Sequence, residues 1–115
     1  MDGRPLTIEH FNERFQRWSG ADIVITKLEL NDKDTTEMHL DHIAYGTDAA
    51  RLDEYLPMHS LFLYGDGEAE IGPQQMEPLP APYYEIPLQD TTQYLYSPEG
   101  FIVTTDRATY IIQKK

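Results

Sequence analysis

The sequence contains no cysteine. That absence excludes structural disulfides, thiolate catalysis and any zinc or iron–sulfur site built on thiolates, and it suits a reducing compartment. No apolar run approaches the roughly 20 residues needed to cross a bilayer as a helix. The N-terminus lacks the charged and then apolar pattern of a secretory signal. The reading is therefore a cytoplasmic protein with no membrane contact. Basic residues are scarce: 9 Lys and Arg stand against 20 Asp and Glu, for a net charge of −11. Between Glu29 and Asp90 there are 14 acids and only two bases, Lys33 and Arg51. The middle of the chain thus carries the whole excess, and such a surface repels phosphate backbones, so nucleic acid is not an expected partner. A basic protein surface would complement it, although acidity also serves solubility alone.

At 115 residues the chain is long enough for one core and too short for two, so residues 1–115 are read as one α+β domain. Near the start, Ile8, Phe11, Phe15 and Trp18 recur at spacings of three and four, predicting an amphipathic helix over Leu6 to Ser19. Thr7 is its N-cap, and Gly20 is suited to the left-handed position beyond its end. At the other end, Thr91–Tyr96, Phe101–Thr105 and Ala108–Gln113 are rich in Thr, Tyr, Ile and Val and read as a three-stranded meander. Ser97-Pro98-Glu99-Gly100 predicts a three-residue loop with a bulge at Gly100. That loop sets Tyr96 against Ile102 and Tyr94 against Thr104. A tight turn at Asp106-Arg107 sets Val103 against Tyr110 and Phe101 against Ile112. The predicted core face is then Leu95, Phe101, Val103, Tyr110 and Ile112. The opposite face holds Tyr94, Tyr96, Ile102 and Ile111, which reads as a protein-binding or homodimer surface, because tyrosine combines apolar area with a polar tip.

Ala21–Leu30 and Thr36–Tyr45 form a predicted hairpin around Asn31-Asp32-Lys33-Asp34, with a bulge near Thr26 absorbing the phase change between Ile25 and Leu28. Thr47–Tyr55 reads as a short second helix. Asp66-Gly67 is the strongest two-residue hairpin signal in the chain. It places Phe62, Tyr64, Ala69 and Ile71 inward. The stretch from Gly72 to Pro82, with four prolines, is expected to contribute no ladder. It has the composition of a stiff connector and lacks the basic flanks of an SH3 ligand. Tyr83–Leu88 reads as an extended strand in which Pro87 marks an edge or a bulge. The fold class is α+β, a helix packed on a bent antiparallel sheet of six or seven strands, with a small helix-capped barrel as the alternative.

No catalytic signature stands out. His39-Leu40-Asp41-His42 resembles a metal motif, but on a regular strand His39 and His42 point to opposite faces. Only Glu37, His39 and Asp41 share one, and His42 is expected beside Met38 and Leu40, partly buried. His39, Asp41 and His59 are the candidates for a metal or small-ligand site between helix and sheet, which is the alternative reading of function. Ser60 beside His59 lacks a nucleophile elbow. Gly65-Asp66-Gly67 is too short for a phosphate loop and is followed by a strand. The calcium-loop pattern is incomplete. The principal reading is a non-enzymatic binding or regulatory module, without cofactor, that offers an acidic surface to a basic protein partner and forms a homodimer through its aromatic face.

Overall fold

Thr7 accepts a hydrogen bond from the His10 N–H and starts α1 (Ile8–Gln16), with Glu9 in the first turn and Arg14 in the last. Phe11 and Phe15 are buried on its inner side, and Gly20, at φ 92°, follows the turn that ends the segment. The computed structural model describes residues 4–47, 59–89 and 91–115. The predicted helix at Thr47–Tyr55 lies largely outside them, as does the side chain of His59.

Among the described residues nine strands form one antiparallel sheet: β1 (Arg4–Leu6), β2 (Asp22–Glu29), β3 (Asp32–Thr47), β4 (His59–Gly72), β5 (Gln75–Pro78), β6 (Tyr83–Leu88), β7 (Gln93–Ser97), β8 (Gly100–Thr104) and β9 (Thr109–Lys114). Their order is β1-β7-β8-β9-β2-β3-β4-β5, with β6 also on β4. Among the described residues no pairing joins β1 to β5 or β6, so the sheet is open. The alternation of the strands decides the core. Ile23, Ile25, Met38, Leu40, Leu61, Leu63, Ile86, Phe101, Val103, Tyr110 and Ile112 turn to the helix side and are buried. The rings of Phe11 and Phe15 fill the space above Tyr94 and Phe101, with centroids 4.9 to 5.5 Å apart, and Trp18 closes the cluster at 4.8 Å from Phe101.

Several expectations are corrected. The β7–β8 loop has two residues, Pro98 and Glu99, so Ser97 pairs with Gly100, Tyr96 with Phe101 and Tyr94 with Val103. Gly100 is required because any Cβ there would run into the Ile112 carbonyl of β9, a demand for close approach and not for a bulge. The slip exchanges the faces of β7. Tyr94 is buried, Tyr96 packs on the core, and Leu95 faces outward with Ile102 and Ile111. The β8–β9 register is as expected. No bulge interrupts β2; Leu28 and Leu30 are simply exposed, and the hairpin turns earlier, at Leu30-Asn31. Asp66-Gly67 makes no hairpin. β4 runs straight through it, and the chain reverses at Pro73-Gln74, so that Gln75–Pro78 does pair with β4 as an edge strand. Phe62 and Tyr64 consequently face outward, since Leu61 and Leu63 are the buried members of β4.

Burial raises the pKa of Tyr45, Tyr84, Tyr94 and Tyr110; the Tyr94 phenol adds to the effect at Tyr45, Tyr110 and Asp34 add to it at Tyr84, and Glu29 and Glu85 add to it at Tyr110. A phenol whose folded pKa lies above its unfolded value of about 10 stabilises the fold fully below that pH and ceases to do so as pH rises through the folded value. Alkaline titration followed at 295 nm and by circular dichroism should therefore show Tyr84, Tyr94 and Tyr110, the less exposed of the four, ionising together with unfolding, above pH ~10. Ionisation of all eight tyrosines at an ordinary pH with the fold intact would contradict the packing.

Candidate functional site: an acidic groove on the outer face

Outward positions on β2, β3 and β4 are set by the register. Asp22 pairs with His39 and His39 with Asp66, which makes one cross-strand row; Val24 pairs with Glu37 and Glu37 with Glu68, which makes the next. His39 Nδ1 lies 2.8 Å from Asp22 Oδ1. Glu37 and Glu68 stand directly opposite each other, an arrangement of like charges that costs stability on a sheet. Lys115 answers it in part. Its backbone N–H donates to the Asp22 carbonyl at 2.8 Å and its ammonium pairs with Glu37, which holds the lysine pKa above its ordinary value, with Asp22 and Glu68 adding to the effect.

A wall stands beside these rows. Past β5 the chain continues along the same edge of β4 toward β6: the Leu79 N–H donates to the Gly67 carbonyl at 3.0 Å, and the Gly65 N–H to the Pro82 carbonyl at 3.2 Å. Gly67 is small enough to admit the Leu79 side chain, whose Cδ1 would be 2.7 Å from any Cβ there. Gly65, at φ 155°, lets β4 close on the His39 carbonyl. The two glycines therefore serve close approach of neighbouring chain, which explains why a sequence with hairpin chemistry makes no turn. A groove of about 620 Å³ lies here, and its lining includes the carboxylate residues Asp22, Glu37, Asp66 and Glu68 together with Leu79, Pro80 and Pro82.

The register of β3 against β4 shifts between Leu40 and His42, with Asp41 the extra residue. A bulge of this kind changes the phase of the strand. Buried positions pass from Met38 and Leu40 to Ile43, so His42 is exposed on the outer face and not beside Met38 and Leu40 as expected. Its ring stacks on Tyr64 at 4.7 Å and its Nδ1 lies 2.9 Å from Asp41 Oδ2. The metal candidates are thus separated: His39 turns to Asp22, and Asp41 to His42. Among the described residues no three His, Asp or Glu side chains converge as a metal site would require. Asp22, Asp66, Glu68 and Lys115 were not singled out from the sequence. Their meeting depends on cross-strand register, and only the two-residue turn at Leu30-Asn31 could have fixed that of Asp22 with His39.

One antiparallel sheet carrying a short helix on its inner face and a groove on its outer face defines a small α+β fold. Residues 5–115 match the family described as YmzB-like protein, and the chain belongs to that family. It is 34% identical over 84 residues to a Bacillus subtilis (strain 168) protein described as "Uncharacterized protein YmzB", a match that covers 73% of this chain and 70% of the relative. No solved structure matches the chain. Among the described residues no helix is long and apolar enough to cross a membrane.

Proposed function

We propose that the protein is a non-enzymatic binding module whose outer groove receives an extended, basic segment of a protein partner. The observation that carries this reading is Glu37 opposite Glu68 on the groove floor. Sheets normally avoid like charges at that distance, and a residue pair whose repulsion is only partly offset within the chain marks a place where something other than folding set the choice. Arginine or lysine side chains from a partner would relieve the repulsion, as the Lys115 ammonium does within the chain. The apolar wall from Leu79 to Pro82 suits the aliphatic stems of such side chains. The packing of Phe11 and Phe15 on Phe101 between helix and sheet supports a recognition surface on the outer side.

The test is fluorescence anisotropy with a labelled arginine-rich decapeptide and its citrulline counterpart, against wild type and the Glu37→Gln/Glu68→Gln double variant. The arginine peptide should bind the double variant about tenfold more weakly, a difference of about 1.4 kcal/mol. Glu68→Gln alone should raise thermal stability by a few tenths of a kcal/mol while it weakens binding, because it removes the cross-strand repulsion. Neutralising Glu99 and Asp106, remote from the groove, should change affinity less than twofold. Equal affinity of the two double variants would defeat the proposal.

A further inference from the structure

Beyond the end of the sheet where Asp22 of β2 and Lys115 join the acidic groove, the outer face changes character between β2 and β3. On β3 and β4 it carries Lys33, Glu37, His39, Asp66 and Glu68. On β7, β8, β9 and β2 two whole cross-strand rows, Leu95–Ile102–Ile111–Thr26 and Gln93–Thr104–Thr109–Leu28, hold no charged residue. Val24 and Gln113 continue the pattern beside them. A quarter of the chain is charged, so an uncharged patch spanning four adjacent strands is a selective feature of this surface. Its residues are the β-branched and threonine side chains that interdigitate when two sheets stack.

We infer that this face packs against the same face of a second copy of the chain. The occupant follows from charge. A twofold contact sets a patch against the same patch, so the acidic half of a chain with net charge −11 would meet another acidic half with repulsion, and an uncharged face avoids that short-range cost. A basic partner would be drawn to the other half of the sheet, where the carboxylates are. The area sets the strength. Four strands about 4.8 Å apart and five or six residues about 3.4 Å apart give a patch of roughly 400 Å² in projection. That is below the ~800 Å² per partner of a standard stable interface, so the dimer is weak and reversible. It differs from groove binding in its response to salt, which screens the mutual repulsion of two acidic chains and tightens the dimer.

Sedimentation of the full chain from about 10 µM to 1 mM should show a reversible monomer–dimer equilibrium that added salt strengthens. Ile102→Lys/Ile111→Lys should raise the dissociation constant at least thirtyfold with an unchanged circular-dichroism spectrum. Because a lysine pair could also disturb folding, nitroxide labels give a second readout in a chain without native cysteine: Thr104→Cys should show an intermolecular dipolar coupling, and Glu70→Cys, on the acidic half, a markedly weaker one. A wild-type chain that stays monomeric at 1 mM, a folded double-lysine variant that dimerises as wild type does, or equal couplings from the two labels would overturn the inference.

Discussion

Phe11→Ala is expected to lower the unfolding free energy by about 3–5 kcal/mol. Phe11 is fully buried and touches three other rings, those of Phe15, Tyr94 and Phe101, at centroid distances of 4.9 to 5.5 Å. Truncation removes the apolar area and leaves a cavity that the short α1 and the rigid sheet cannot close from either side. In a domain whose total stability is of the order of 5–15 kcal/mol, the loss takes a large share. It should appear as a fall of well over 10 °C in melting temperature. Phe11→Leu retains most of the volume and should cost less than about 1.5 kcal/mol. Chemical denaturation of the two variants beside wild type separates the cases. Similar small losses for both would mean that the helix does not plug the sheet.

Gly65→Ala should be nearly as damaging, at roughly 3 kcal/mol, although it adds only a methyl group. The added carbon would overlap the His39 carbonyl oxygen, which is main chain and cannot swing aside, and φ 155° is strained for any L side chain. Relief requires β3 and β4 to part at the Asp41 bulge, the point that sets the phase of His42 and the groove floor. Gly72→Ala is the control: its nearest neighbour would be the Gln75 side-chain oxygen at 3.5 Å, an ordinary contact, and the change should fall within about 0.5 kcal/mol. Comparable stability of the two variants would show that the close approach at Gly65 is not needed.

Local chemistry made α1 legible. The Thr7 cap and the spacing of Phe11 and Phe15 each act over one turn of chain, and the helix starts where Thr7 indicates but is shorter than Leu6–Ser19, since Leu6 belongs to β1 and Arg17 caps the C-terminal end. The last three strands were legible too, and so was the pairing of Val103 with Tyr110. Errors arose wherever a glycine answered to a neighbour distant in sequence. Gly100 answers to Ile112, Gly65 to His39 and Gly67 to Leu79, and each reads locally as a turn residue. The same cause moved Tyr94 and Tyr96 from the proposed binding face to the core side, because one residue of loop length decides which face a strand presents. The site was harder still. Acidity of the middle of the chain was plain, but a groove made by Asp22, Glu37, Asp66 and a proline-rich wall exists only once the long β4 has been paired with β3, β5 and β6. The bulge at Asp41, which reverses the expectation for His42, has no sequence signal of its own.

Hydrogen exchange measured with and without the arginine-rich decapeptide addresses the central claim most directly, because it locates the contact without any substitution. Added protection confined to β3 around Glu37–His39, β4 around Asp66–Glu68 and the Pro78–Pro82 wall is the predicted result. Protection centred instead on α1, or spread evenly over the acidic chain, would contradict the assignment of that groove as the binding site.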